Sequence, residues 1–303
     1  MSVSCKKKFS GVMSALVTPF DGQGKINKDT VRSMVEHQLA SGICGFYICG
    51  STGEGVTMTS AQRKEMCETV MDANAGRGKI IVQTGSINCE ESFELARHAT
   101  EAGADGISSV APSFYYRYTR NEIIDYYTRL AGSTDLPLLL YAVPLVSVEN
   151  VTGIIEKLLP IENIIGLKDT RADFFEMWKL GRLNNGNINI INGSDECLLC
   201  GLAMGADGGI GATYNIMPEL FSELYRNFVS KDFFAAQALQ GRINRIIQVL
   251  LSHAKSSCIG TIKLTLRLRG MDAGTQRYPA EDFTREETDS FKEAMLRAGY
   301  DFS

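Results

Sequence analysis

The sequence is poor in several things that common chemistries require. Its 303 residues include 3 histidines, His37, His98 and His253, so a His-rich metal site or a His-dependent triad has little to draw on. Positive charge is not in excess: 31 Lys+Arg stand against 35 Asp+Glu, for a net −4. A protein that grips nucleic acid needs the opposite balance on at least one face, and no nucleic-acid partner is expected. No apolar run approaches the roughly 18 residues that span a bilayer, so no membrane partner is expected either. Lys6-Lys7-Lys8 lead into Phe9 and Ser10 without an apolar stretch, which gives no secretory-signal pattern. Only 7 prolines are present, and no linker breaks the chain.

What is there is ordinary for a soluble globular protein: 44% hydrophobic and 22% charged residues. The length suggests two domains or one large α/β barrel. The 8 cysteines (Cys5, Cys44, Cys49, Cys67, Cys89, Cys197, Cys200 and Cys258) are scattered and form no disulfide framework. Cys197 and Cys200 have redox or metal-site spacing but no second Cys/His pair, so they read as buried thiols packed as small hydrophobes. A reducing cytoplasm fits this usage best.

Strand candidates are residues 11–20, 45–50, 79–85, 106–113, 137–144, 164–169, 187–193 and 208–213. They are continuously apolar rather than alternating, as expected for parallel strands covered on their outer face. Amphipathic stretches lie between them at 29–40, 60–73, 90–101, 121–130, 149–159, 173–183 and 195–204. Plausible N-caps occur around Asn27 and at Ser194-Asp195. Eight strands alternating with helices spell an α/β fold, the (β/α)8 TIM barrel, with a C-terminal helical extension. A doubly wound sheet is the runner-up, though no GxGxxG turn follows the first strand. Residues 218–229 supply the eighth helix; 232–253, 259–269 and 285–298 form the extension. The expected division is 1–229 for the barrel and 230–303 for an extension packed on it, not an independent domain.

Barrel active sites form at the C-terminal strand ends, and four of these carry chemistry. The second ends Gly50-Ser51-Thr52-Gly53-Glu54-Gly55, a glycine-rich turn whose N–H groups and hydroxyls suit an anion, or simply a tight turn. The sixth ends Leu167-Lys168-Asp169-Thr170. Burial of Lys168 would favour the neutral amine, a nucleophile toward carbonyls; the alternatives are a lysine reaching the rim or pairing with Asp169. The fifth ends Tyr141-Ala142-Val143-Pro144, where Tyr141 is a proton relay or a plain buried tyrosine. The seventh ends Gly193-Ser194-Asp195-Glu196, where carboxylates would either accept hydroxyls of a substrate or cap a helix. A strand-end lysine, a tyrosine one strand away and an anion nest together form a carbonyl-lyase constellation.

Gly50-Ser51-Thr52-Gly53-Glu54, Tyr141-Ala142-Val143-Pro144, Gly166-Leu167-Lys168-Asp169-Thr170 and 205–211 (GADGGIG) resemble the pyruvate-dependent class I aldolases. This is the family of N-acetylneuraminate lyase and dihydrodipicolinate synthase, and the resemblance runs from residue 11 to about 278. Dihydrodipicolinate synthases carry Thr-Thr in the first motif and an arginine two residues after the Tyr-x-x-Pro proline; here Ser51-Thr52 and Val146 stand instead. Residues 192–196 (NGSDE) and 208–215 (GGIGATYN) look like the sialic acid lyase branch. Ala212 departs from it, standing where some lyases have a serine hydroxyl.

The resemblance implies a cleavage in which Lys168 forms a Schiff base with the C2 ketone of a sialic acid. It implies Tyr141 as proton relay, aligned through Ser51 and Tyr115, the latter reaching in from a neighbouring subunit. Ser51 and Thr52 would hold the substrate carboxylate, and Thr170, Gly193, Asp195, Glu196, Gly211 and Ala212 would line the sugar end. It further implies small-molecule substrates, no metal or organic cofactor, and a homotetramer in the cytoplasm. Rival readings are a related aldolase of another 2-keto sugar acid, a condensing enzyme like dihydrodipicolinate synthase, and a sensor that binds without turnover. Val146 speaks against the condensing enzyme, and a sensor has no need of an amine nucleophile.

Overall fold

The computed structural model describes residues 5–113, 115–144 and 150–302. Val146 and the first residue of the helix expected over 149–159 lie outside them. Eight parallel strands close into a barrel: β1 (Gly11–Ala15), β2 (Gly45–Ile48), β3 (Lys79–Gln83), β4 (Gly106–Val110), β5 (Leu138–Ala142), β6 (Ile164–Asp169), β7 (Asn189–Asn192) and β8 (Gly208–Gly211). Closure is made by β1 on β8, with Gly11 opposite Gly208 and Met13 opposite Ile210. Between them run α1 (Lys28–Ala40), α2 (Ser60–Asn74), α3 (Cys89–Glu101), α4 (Arg120–Ala131), α5 (Val151–Leu158), α6 (Phe174–Leu180) and α7 (Leu198–Ala203), with α8 (Pro218–Val229) after β8. Consecutive residues of β5 are all buried, so both faces of that strand are covered and alternation vanishes from the sequence.

The strands are shorter at their C-terminal ends than their apolar runs, all except β6. Many of those surplus residues are buried, as Leu16, Val17, Cys49 and Ala111 show, but they lie beyond the strands. Leu16 still donates to Tyr47 O at 3.0 Å, whereas the next amide, Val17, donates to Asn215 Oδ1 at 3.2 Å. Cys49 breaks β2 with a left-handed φ of 58°. Burial at a barrel mouth thus outlasts strand geometry.

Helix starts follow their caps. Asn27 Oδ1 accepts from Thr30 N at 3.2 Å, and Thr59, Thr119 and Thr284 each form a reciprocal capping box. The expected cap at Ser194-Asp195 is corrected. Ser194 makes no capping bond, a 3-10 turn covers Asp195–Cys197, and α7 begins only at Leu198. The Cys197/Cys200 reading is corrected too: Cys200 is exposed and Cys197 half-buried, because that face of α7 looks outward. Cys49 and Cys67 are the cysteines that are buried.

The extension is α9 (Phe233–Ser252), α10 (Cys258–Leu268) and α11 (Arg285–Arg297). It packs on the barrel. From α9, Gln240 Nε2 donates to Asp195 O at 3.1 Å and Asn244 Nδ2 to Glu196 O at 3.0 Å. In α10 the run Thr261, Ile262, Lys263, Leu264, Thr265 and Leu266 is buried on all sides.

Candidate active site

Register brings the chemistry together. Tyr141 on β5 pairs directly with Lys168 on β6, so both side chains point the same way, into the barrel mouth. Lys168 is 4% exposed. Its Nζ lies 4.2 Å from the Tyr141 ring centroid and 4.3 Å from that of Tyr47 on β2, and the two rings meet edge to face at 5.8 Å. The alternatives for this lysine fall away. It is not at the rim, and Asp169 is already occupied: Arg171 forks onto it, Nε to Oδ1 at 2.8 Å and Nη2 to Oδ2 at 2.7 Å. Neighbours on a strand face opposite sides, which keeps the Asp169 carboxylate away from the amine.

The two tyrosines differ electrically. Burial works against ionisation of Tyr141, but the Lys168 charge and hydrogen bonding to Ser51, Thr170 and Lys168 outweigh it and hold the phenol below its ordinary value. For Tyr47, burial and the neighbouring Tyr141 dominate and push the phenol well above the ordinary value, despite its 3.2 Å hydrogen bond to Ser108 Oγ. Of the two, Tyr141 is therefore the one biased toward ionisation, and Tyr47 stays a neutral wall.

The turn after β2 folds back on itself, with Glu54 N donating to Ser51 O and Gly55 N to Gly50 O, both at 3.1 Å. Among the described residues nothing accepts from the N–H groups of Ser51 and Thr52, which suits them to a carboxylate. Gly50 is obligatory, since a Cβ there would sit 2.5 Å from the Tyr47 ring. Thr170 Oγ1 is buried with no partner at full hydrogen-bond geometry, and a Cβ on Gly193 would stand 2.1 Å from it. Gly193 thus keeps that hydroxyl reachable.

The β7–β8 side is arranged differently. Asp195 is buried, and its Oδ2 accepts from Thr213 N at 2.6 Å and Thr213 Oγ1 at 2.7 Å. Burial raises its carboxyl to about 6 against the pull of those two bonds. One oxygen therefore holds the turn after β8 rather than standing open to ligand. Gly211 is required beside it: a Cβ would lie 2.3 Å from Asp195 Oδ1 and 2.2 Å from the Tyr214 ring. Ala212 is half-buried and Glu196 exposed. Tyr115 is 82% exposed, against Tyr116, so within one chain it is not joined to Tyr141.

Lys168, Tyr141, Ser51 and Thr170 are therefore brought together, with Thr52 and Gly193 at their edge. Sequence reasoning passed over Tyr47, an aromatic ring inside an apolar run that carries no signal of its own. It also passed over Thr213 and Lys263. No group of three or more His, Cys, Asp or Glu able to hold a metal occurs among the described residues.

Against known proteins, the Dihydrodipicolinate synthetase family matches residues 8–298. The N-acetylneuraminate lyase of Clostridium perfringens is 34% identical over 287 residues, 93% of this chain and 97% of that one. CdNal from Clostridium difficile, solved in complex with mannosamine, superposes with a TM-score of 0.90 at 32% identity, covering 96% of this chain and all of that one. A catalytic-lysine mutant of Ruminococcus gnavus sialic acid aldolase superposes with a TM-score of 0.91 at 27% identity, covering 96% of each chain.

Proposed function

Because the chain belongs to the dihydrodipicolinate synthetase family, we propose that it is an N-acetylneuraminate lyase, a carbon–carbon lyase yielding pyruvate and N-acetylmannosamine. The observation that carries the reading is a buried Lys168, with no carboxylate within ion-pair distance among the described residues, held between Tyr47 and a Tyr141 whose phenol is biased toward ionisation. A pure binding site has no need of such an amine.

In the reaction, Lys168 Nζ attacks the C2 ketone of open-chain N-acetylneuraminate, water leaves, and a protonated imine forms. Ser51 and Thr52 N–H groups hold the carboxylate, which fixes C2 over the amine. Tyr141 takes the proton from the C4 hydroxyl. The C3–C4 bonding pair flows into the imine, releasing N-acetylmannosamine as the aldehyde and leaving an enamine. Protonation at C3 and hydrolysis then return pyruvate and free Lys168. The imine is the electron sink, so the scheme calls on no metal or organic cofactor. Thr170, Gly193, Glu196, Gly211 and Ala212 line the sugar end, with Asp195 holding its floor. The same reading includes a cytoplasmic homotetramer in which Tyr115 of a neighbour completes the relay through Ser51. It treats 1–229 as the barrel and 230–303 as a dependent extension.

Borohydride added with pyruvate should leave a reduced adduct on Lys168, found by peptide mass, and abolish activity. A coupled assay of pyruvate release should favour N-acetylneuraminate over a panel of other 2-keto acids. An adduct elsewhere overturns the mechanism. Release only from another keto acid overturns the substrate, and binding without any release would favour a sensor.

A further inference from the structure

The carboxylate-binding turn is joined to the C-terminal extension by a buried ion pair. Lys263, on α10, is 0% exposed and Glu54 4%. Their Nζ and Oε1 lie 2.6 Å apart. Lys263 Nζ also donates to Thr275 O at 3.0 Å, and Arg277 N donates to the other carboxylate oxygen, Glu54 Oε2, at 2.8 Å. Both cations lie over the Phe20 ring, Lys263 Nζ at 4.8 Å and Arg277 at 4.7 Å. Glu54 has a left-handed φ of 56° and its N–H closes the turn onto Ser51 O. A non-glycine residue holds that conformation only when its surroundings over-determine it. Here Thr57 N and Oγ1 hold the Glu54 carbonyl at 2.9 and 2.8 Å, and the extension supplies the partners of its side chain.

We propose that Glu54 and Lys263 are positioning residues, which set the Ser51–Thr52 N–H groups for the keto-acid carboxylate and make the extension a working part of the site. The proposal rests on the aldolase reading above. It follows from the chemistry of the pair. An uncompensated charge cannot stay buried at either end, so loss of one partner frees the other to seek water. The only covalent path from Glu54 to the anion nest is the three-residue turn itself. A shift there moves both donors away from the carboxylate but leaves Lys168 and Tyr141, anchored in β6 and β5, where they are.

The test uses the full-length protein and pyruvate as probe. Lys263→Met and Glu54→Gln should each raise the pyruvate concentration for half-maximal borohydride trapping, and the KM for the sugar acid, by about tenfold or more. Trapping at saturating pyruvate should stay within about threefold of the unaltered protein, and kcat should fall by less than KM rises, since Ser51 also hydrogen-bonds Tyr141. The double variant should be no worse than Lys263→Met alone, since both remove one interaction, and Lys263→Arg should recover part of the loss. Glu54→Gln keeps the volume and the Arg277 N–H bond, so it decides the matter if Lys263→Met does not fold. Unchanged pyruvate dependence in both single variants, or kcat falling as far as KM rises, overturns the proposal. If the unaltered protein traps no pyruvate at all, it is the aldolase reading that fails.

Discussion

The two halves of the barrel mouth are built on different principles. On the β2, β5 and β6 side, rings and strand register hold the groups proposed to react: Tyr47 and Tyr141 flank Lys168, and Tyr141 sits opposite it in the sheet. On the β7 and β8 side, polar groups hold turns. Asp195 ties down Thr213, Asn215 Nδ2 donates to Ala15 O and Ala212 O at 2.7 Å, and Gln240 of the extension donates to Asp195 O. The first half builds the proposed reaction centre from rigid elements, where small misplacements cost most. The second shapes a rim from loops, where a substrate's distal end can vary without disturbing the chemistry.

Substitutions that break this contrast should differ in size accordingly. The largest effect belongs to Lys168→Ala, which should reduce pyruvate release to background and leave nothing for borohydride to trap. Tyr141→Phe keeps the ring against Nζ but removes the proton carrier. It should lower kcat by about 10²–10⁴ while shifting half-maximal trapping by pyruvate little; equal losses in both would argue for a packing role instead.

Asp195 probes the other half through stability. Its folded carboxyl sits near 6 against an ordinary 3.8, so the folded state holds the proton more tightly than the unfolded one. Its contribution is therefore full below pH 4 and lost as pH rises through about 6, by roughly 3 kcal/mol at most. Denaturation of the parent protein compared with Asp195→Asn from pH 4 to 8 should show that difference, with the parent losing ground as pH rises. A flat difference would mean that Asp195 ionises as easily folded as unfolded. The smallest effect is expected from Ala212→Ser, at the rim. One added hydroxyl is worth about 1 kcal/mol, so the KM for N-acetylneuraminate should fall by no more than about tenfold, with pyruvate trapping untouched. A change in trapping would erase the separation between the halves.

The legibility of the two halves also differs. Lys168, Tyr141 and Ser51 were readable because each follows an apolar run at a strand end, and a lysine inside such a run is conspicuous. Glu54 stood in a motif, but its pairing did not, because its partner Lys263 comes from α10, far along the chain and inside a stretch that read only as part of the helical extension. Asp195 was read as a helix cap or ligand group, and the structure spends one of its oxygens on Thr213 across the β7–β8 boundary. Local pattern carries no information on which turn will lie beside which. The strand ends were overrun for a related reason: Leu16, Val17 and Ala111 are apolar because the mouth buries them, not because they extend a ladder.

By itself, the order of apolar runs, caps and glycines determined eight β/α units with strands covered on both faces; that these close into a barrel rather than an open doubly wound sheet is decided by the pairing of β1 with β8. The same one-dimensional pattern determined which strand end carries the amine. What only the tertiary structure decided was electrostatic: that Asp169 belongs to Arg171, that Tyr141 and not Tyr47 is biased toward ionisation, and that a lysine of the extension neutralises Glu54. Each depends on a distance of a few ångströms between segments remote in sequence, and in a buried, weakly screened site such distances set the charge state of every group.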